Sequence, residues 1–360
     1  MAEQKQAIRV IQWATGSVGK FSIVAFHNKP GFQLVGCWVH SADKAGKDAG
    51  EIAGIGPIGV SCSNSVEEIL ALDADVVHYA PLLANVDEMC RILESGKNLV
   101  TPSGFTTVRN KEDEAKLAAA CHKGGVSMHG SGIHPGFSGD RLPIVLSAMS
   151  RSIRKITVHE IVDMSRVNES WDMVTNLGFD MSPEDAKANP PFLLEVMSTI
   201  FFESIALVAE ALGIEVEEYE KKHRFALAKQ DIDVQLELGS KTGKIRKGHV
   251  AGQNFNYAGL VKGQPVIEFK TFWPMDESIA REWGHLEPWA YKINIKGDPD
   301  LRLHFTCGQE DGSDSAALGI LCTAMNCVNS MPQVVAAPPG IVTQLDMKVI
   351  PAYQAFELPK

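Results

Sequence analysis

The stretch VIQWATGSVGK, Val10 to Lys20, decides how the rest of the chain is read. An apolar run ends near Trp13, the chain turns through Ala14, Thr15 and Gly16, and residues compatible with a helix begin around Ser17. A strand that enters a helix this way leaves the first N–H groups of the helix without partners at the positive end of its dipole, where a phosphate binds. The missing side chain at Gly16 lets a pyrophosphate approach, and Gly19 lets the helix pack closely on the sheet. Thr15, Gly16, Ser17, Val18 and Gly19 are therefore the first candidate dinucleotide contacts. The spacing departs from GxGxxG at its first position, which is Ala14.

Outward from this turn, short apolar runs alternate with amphipathic segments as far as residue 137. Ile8–Gln12, Gln33–His40, Val76–Ala80, Asn98–Thr101 and Val126–Gly130 read as strands. The stretches near Gly19–Asn28, Ser65–Leu70, Val86–Ser95 and Lys111–Lys123 read as helices. Such a βαβ succession packs most economically as an α/β, Rossmann-type doubly wound parallel sheet. Beyond the turn HPGF (His134–Phe137) a helical stretch to about Ser152 is expected, and then the character changes. Lys155–Arg166, Asp231–Leu238, Gly248–Gly259, Val266–Trp273, Trp289–Lys296 and Leu301–Cys307 read as strands of a mixed sheet, interrupted by an apolar helix at Pro191–Leu212. The expected organisation is a dinucleotide-binding domain at 1–137, a substrate-binding and oligomerisation α+β domain at 138–312, and a C-terminal helix and tail at 313–360 returning to the first domain.

The chain has 360 residues, 45% hydrophobic and 22% charged, enough apolar material for two ordinary domains. A formal net charge of −10 argues against nucleic acid or an anionic membrane as partner and favours a small molecule. The N-terminus has no apolar core of a secretory signal, and the greasiest stretch is broken by Glu195, Glu203 and Glu210, so a cytoplasmic protein without a membrane span is expected. Seven dispersed cysteines form no CxxC pair and HExxH is absent, so reduced thiols and no metal are expected.

The second strand end discriminates between cofactors. An NAD-specific fold places a carboxylate there for the ribose hydroxyls, whereas this chain reads WVHS (Trp38–Ser41) followed by Lys44 and Lys47. His40, Ser41 and Lys44 are suited to a 2′-phosphate, so NADP is expected, with NAD as the alternative. Ala80 and Pro81, then Thr101, Pro102 and Ser103, end later strands at the carboxyl edge, where open α/β sheets bind ligands. Pro135 and Gly136 lie beyond the next strand.

The segment DADVVHYAPLLANVDEMCRILESGKNLVTPSGFTT, Asp73 to Thr107, resembles the N-terminal domain of dihydrodipicolinate reductase, and KITVHEIV (Lys155–Val162) resembles the start of that family's substrate-binding sheet. The family's HHxxKxDAPSGT-type segment is replaced here by GSGIHPGF (Gly130–Phe137). The GIHPGF turn and VAGQNFNYAGLVKGQPVIEF (Val250–Phe269) instead look like the 2,4-diaminopentanoate dehydrogenases and native amine dehydrogenases. That resemblance implies an NADPH-dependent reduction of C=N bonds formed from a small aldehyde or ketone and ammonia.

Members of that group carry glutamates in the loop after the fourth strand to handle the ammonium proton, and this chain reads Ser103–Thr106 there. The proton donor is then sought among His134, Glu160, Asp163 and Glu169. Glu160 and Asp163 lie three apart and so face opposite sides of a strand. His134, Glu160 and Asn168 are the candidate catalytic residues, with Trp171 beside Asn168. Phe272, Trp273, Trp283 and Trp289 suggest an aromatic wall. Carbonyl reduction, or dinucleotide sensing without turnover, is the alternative function. A homodimer is expected by analogy with the fold.

Overall fold

The computed structural model describes residues 6–167, 170–236, 242–309 and 317–353. Asn168 and Glu169 lie outside the described residues.

The chain opens with β1 (Ile8–Trp13), α1 (Ser17–Asn28), β2 (Phe32–Trp38), α2 (Ala49–Ala53), β3 (Cys62–Ser63), α3 (Val66–Ala71), β4 (Val76–Tyr79), α4 (Val86–Glu94), β5 (Asn98–Thr101), α5 (Lys111–Gly124) and β6 (Ser127–Gly130). It continues through α6 (Arg141–Ser147), β7 (Ser152–Val162), α7 (Met164–Val167), α8 (Trp171–Asn176), α9 (Pro183–Ala188), α10 (Phe192–Ala211), β8 (Glu218–Leu227), β9 (Ile232–Gln235), β10 (Thr242–Ile245), β11 (Val250–Val261) and β12 (Gln264–Pro274). The last elements are α11 (Glu277–Glu282), β13 (Trp289–Asp298), β14 (Leu301–Phe305), α12 (Ala317–Val335) and β15 (Gly340–Val342). Two compact units result, residues 1–137 with 321–360, and residues 138–320.

In the first unit all strand pairs are parallel, in the order β15-β6-β5-β4-β1-β2-β3. Strands buried on both faces favour apolar residues, and β1, β4 and β5 supply Val10, Ile11, Val76, Val77, Leu99 and Val100, with Gln12 and His78 buried among them. α12 returns to this unit: Cys327, Val328, Met331 and Val334 are fully buried in one cluster with Val10, Ile23, Phe26 and Val100. Strand order reverses between β1 and β4, the switch point at which such sheets bind ligands.

The second unit is a six-stranded mixed sheet, β14-β13-β7-β12-β11-β8, beside a hairpin of β9 and β10. Its central strand β7 runs parallel to β12 and antiparallel to β13. One cross-strand row, His223, Phe255, Thr271, Glu160, Tyr291 and Phe305, lies in register on one face. The neighbouring row on the opposite face is Lys222, Asn256, Lys270, His159, Lys292 and His304.

The structure departs from the sequence reading at three elements, of which β8 is absent from that reading. The helix expected to run to about Ser152 ends at Ser147, because β7 begins at Ser152. β8 has the sequence EYEKKHRFAL, whose charges hide its strand character; it is the sheet's edge, where lysines are usual. The strand expected at Asp231–Leu238 pairs only with β10, outside the main sheet.

Met331→Ala tests the place of α12. Removing a fully buried core side chain costs about 2–5 kcal/mol, so urea denaturation should show an unfolding free energy lower by that amount and a lowered midpoint. An unchanged midpoint would mean that α12 is not part of this core.

Candidate active site

The carboxyl edge of the first unit is built by the turns at its strand ends. Ala14 occupies the first-glycine position with φ 73. A non-glycine residue there costs roughly 1–2 kcal/mol, so the turn must be held by its neighbours. Ala14 N–H donates to the Trp38 carbonyl at 2.9 Å, and the Gln12 side-chain amide donates to the Ala14 carbonyl at 2.8 Å. A Cβ on Gly19 would lie 2.3 Å from that carbonyl, so residue 19 has to be glycine for α1 to start here. Gly16 has an ordinary φ of −72, and the space that its Cβ would fill is open.

α3, α4 and α5 carry side-chain caps from Ser65, Asn85 and Asn110. α1 has Gly16 at its N-cap, no side-chain cap bond and no acidic residue in its first turn. Ser17, Val18 and Gly19 thus form the first turn of a helix end suited to an anion. Lys44 Nζ donates to Thr15 Oγ1 at 3.3 Å, which brings a positive charge to the same turn.

β2 ends at Trp38, so His40 and Ser41 lie beyond the strand in a turn. The Trp38 ring stacks on Trp13 with centroids 4.7 Å apart, and His40 is 6.1 Å from Trp38. Asp43, absent from the sequence candidates, belongs to the same turn. Its carboxylate accepts from the Ser41 hydroxyl, which holds it below the usual carboxylate range. A carboxylate therefore does stand here, because a residue two positions from a serine closes a local side-chain turn.

The remaining predicted positions lie after neighbouring strands. Ala80 N–H donates to the Trp13 carbonyl at 3.0 Å, and Ser103 Oγ donates to the Pro81 carbonyl at 2.8 Å, so the turns after β4 and β5 are tied together. The Thr101 carbonyl accepts from Ser131 N–H at 2.8 Å, with Pro102 between the two turns. In the turn after β6, His134 is half-buried and precedes Pro135 through a cis peptide. Gly136 has φ 114, and a Cβ on it would lie 2.6 Å from the Ser131 backbone.

Two residues far along the chain secure that turn. Asn326 Nδ2 donates to Gly132 O at 2.7 Å, Ser131 Oγ at 3.0 Å and Gly136 O at 3.2 Å; Gln344 Nε2 donates to Gly136 O at 2.9 Å. Only a polar residue in the apolar face of α12 hinted at this in the sequence.

In the second unit Glu160 is 7% exposed. Its carboxylate accepts from Trp273 Nε1 at 2.9 Å and from Tyr291 OH at 2.8 Å. Phe201 stacks on Tyr257 at 4.7 Å and approaches Trp273 at 6.3 Å, while Phe255 lies 5.9 Å from Trp273. Asp163 follows β7 and accepts from the backbone and hydroxyl of Ser165, so it serves the local turn. Trp171, expected in a loop, begins α8, and the Cβ position of Gly243 lies 1.9 Å from its ring. The aromatic wall divides: Trp273 joins Glu160, whereas Phe272 meets Trp283 and His285. Adjacent strand residues face opposite sides.

Among the described residues no group of three or more His, Cys, Asp or Glu side chains could hold a metal ion, and no helix is long and apolar enough to cross a membrane.

A parallel sheet with an anion-ready helix end at its switch point, joined to a mixed-sheet unit, defines an NAD(P)-dependent oxidoreductase. The chain belongs to the family of the 2,4-diaminopentanoate dehydrogenase C-terminal domain, matched over residues 137–357, and residues 10–130 match the N-terminus of dihydrodipicolinate reductase. It is 29% identical to an amine dehydrogenase of Streptomyces virginiae, covering 96% of this chain and 97% of that one. It is 25% identical to the 2,4-diaminopentanoate dehydrogenase of Acetoanaerobium sticklandii over 73% of this chain and 68% of the relative. The structure of an amine dehydrogenase from Mycobacterium smegmatis has the same fold, with a TM-score of 0.78 and 21% identity over 97% of this chain and 98% of that one. The protein is thus an oxidoreductase whose curated relatives include dehydrogenases named for amine substrates.

Asn326→Ala removes the donor shared by three acceptors. Leaving buried polar groups unsatisfied costs about 1–3 kcal/mol, and the loss should appear in a denaturant titration. Stability equal to the parent would show that Asn326 does not secure the turn.

Proposed function

We propose that this chain is an NADPH-dependent amine dehydrogenase that reduces the C=N bond formed from a small aldehyde or ketone and ammonia. The observation that carries the reading is Glu160. Trp273 and Tyr291 each donate to one of its oxygens, which fixes the carboxylate's orientation. Trp273, one of its two aromatic donors, packs in turn against Phe201 and Phe255. A fixed carboxylate among aromatic faces recognises a cationic nitrogen, and an iminium must carry or receive a proton so that charge does not build on nitrogen as it is reduced. Glu160 takes this role in the reading, which answers the absence of a glutamate at Ser103–Thr106. His134 is the second candidate for the proton, and Asn168 remains a candidate for positioning substrate.

For the cofactor, the residues of the first unit fit a dinucleotide: the open space at Gly16, the uncapped start of α1, and Lys44 beside Thr15. NADPH, when bound, supplies the hydride. The 2′-phosphate contact is assigned to Lys44 and His40, because Asp43 engages the Ser41 hydroxyl. The same reading places Thr15–Gly19 on the pyrophosphate and Ala80, Pro81, Thr101, Pro102, Ser103, Pro135 and Gly136 along the nicotinamide half. A homodimer is part of the proposal. It rests on analogy with the fold, in which a mixed C-terminal sheet commonly builds a subunit interface.

The test is NADPH oxidation with short aldehydes and ketones, with and without excess ammonium at mildly alkaline pH. Turnover only with ammonium is expected, and Glu160→Gln should lower it by about 10²–10⁴-fold, the size of a lost acid–base group. Turnover indifferent to ammonium would make the protein a carbonyl reductase.

Lys44→Ala should weaken NADPH binding by roughly 10–100-fold, the value of about 1.5–3 kcal/mol for a hydrogen bond to a charged group, and leave NADH within about two-fold. Calorimetric titration of both cofactors checks this. Equal affinity of the unaltered protein for NADH and NADPH would remove the phosphate assignment.

A further inference from the structure

Two buried polar side chains lie beneath the glycine turn, apart from the Glu160 cluster. Gln12 is fully buried one residue before the end of β1, and His78 is fully buried in the adjacent strand β4, directly across from it in register. Polar groups are kept in such a core only where every bond they make has a use.

The bonds have a single consistent direction. Gln12 Nε2 donates to the carbonyls of Ala14, at 2.8 Å, and Trp13, at 3.3 Å. With its nitrogen committed to two acceptors, the amide presents Oε1 to His78, and Oε1 only accepts. His78 Nδ1 lies 2.8 Å from it and therefore carries the proton. His78 Nε2 is then an acceptor, and it is buried with no hydrogen-bond partner among the described residues. The Phe26 ring of α1 approaches the imidazole edge-on at 6.1 Å. Burial lowers the imidazole's pKa to about 3, so it stays neutral through the physiological range.

The chain of bonds ends on the Ala14 carbonyl. Three separate features meet at that atom: the positive φ of Ala14, the Gln12 amide, and the gap left by Gly19, whose Cβ would lie 2.3 Å from the carbonyl and 3.0 Å from the amide nitrogen. Glycine at position 14 would hold this geometry unaided. Alanine is strained there and needs something to hold it.

We infer that Gln12 and His78 are positioning residues for the dinucleotide: His78 orients the Gln12 amide, which holds Ala14 in its left-handed conformation and so aims the start of α1 at the pyrophosphate. The inference rests on dinucleotide binding at this turn and not on the identity of the carbonyl or amine substrate.

The experiment is calorimetric titration of the full chain with NADP⁺ and NAD⁺. Gln12→Met keeps the side-chain volume and removes both donors, and its affinity should fall at least ten-fold with the circular dichroism spectrum unchanged. Adding Ala14→Gly to Gln12→Met should recover most of that loss, since glycine needs no support. A packing role for Gln12 would not be rescued at a different residue. Gln12→Met binding as tightly as the parent, or a double variant as weak as the single one, would overturn the inference.

A second measurement needs no substitution in the relay. Nitrogen-15 spectra of the unaltered protein should show His78 as the neutral Nδ1–H tautomer at pH 7; an Nε2–H tautomer or a charged ring would overturn the relay. If the unaltered protein binds neither dinucleotide, the inference falls together with the proposed function. Binding with the predicted loss in Gln12→Met, but without ammonium-dependent turnover, would leave the inference standing and remove the amine reading.

Discussion

Helix α1 begins where it does because residue 19 has no side chain. The Ala14 carbonyl occupies the space in which a Cβ would sit, and that close approach sets the angle at which the helix leaves β1. The uncapped helix start at Gly16, the position of Thr15 beside Lys44, and the line of strand ends along the carboxyl edge of the sheet all depend on it. Ala14 makes the turn more expensive than a glycine would, so its conformation has to be enforced from below and from β2.

The second unit solves a different problem. A carboxylate taken out of water is costly unless its oxygens are engaged. Glu160 meets this through an indole from β12 and a phenol from β13, the strands on either side of its own. Both donors are uncharged, and each meets a different oxygen of the carboxylate. Register makes the arrangement possible: Tyr291 stands directly opposite Glu160, and Trp273 lies two residues beyond its partner Thr271. A slip of one residue in β13 would turn Tyr291 to the other face of the sheet.

Much of this is legible in the chain. The alternation of apolar runs and amphipathic helices reports the parallel sheet, because strands buried on both faces are mostly apolar. The glycines at 16 and 19 report the strand-to-helix turn, whereas the strand spacing read for Glu160 and Asp163 does not apply, because β7 ends at Val162 and Asp163 stands in the turn beyond it. β8 is not legible, since an edge strand exposes lysines and glutamates that erase its apolar alternation. Asp43 is hidden for another reason: it stands beyond the end of β2, and its bond to Ser41 depends on how the turn folds.

Residues 10–20, with the period of the apolar runs beyond them, determined by themselves the α/β class and the place of the strand-to-helix glycine turn, since local spacing and the conformational freedom of glycine suffice for both. The tertiary structure alone decided which buried polar groups serve that turn. Gln12 meets His78 from a strand some 66 positions away, and Asn326 reaches Gly132 across 194 positions. Hydrogen-bond partners so far apart are chosen by packing and register, and no local pattern in a single sequence encodes that choice.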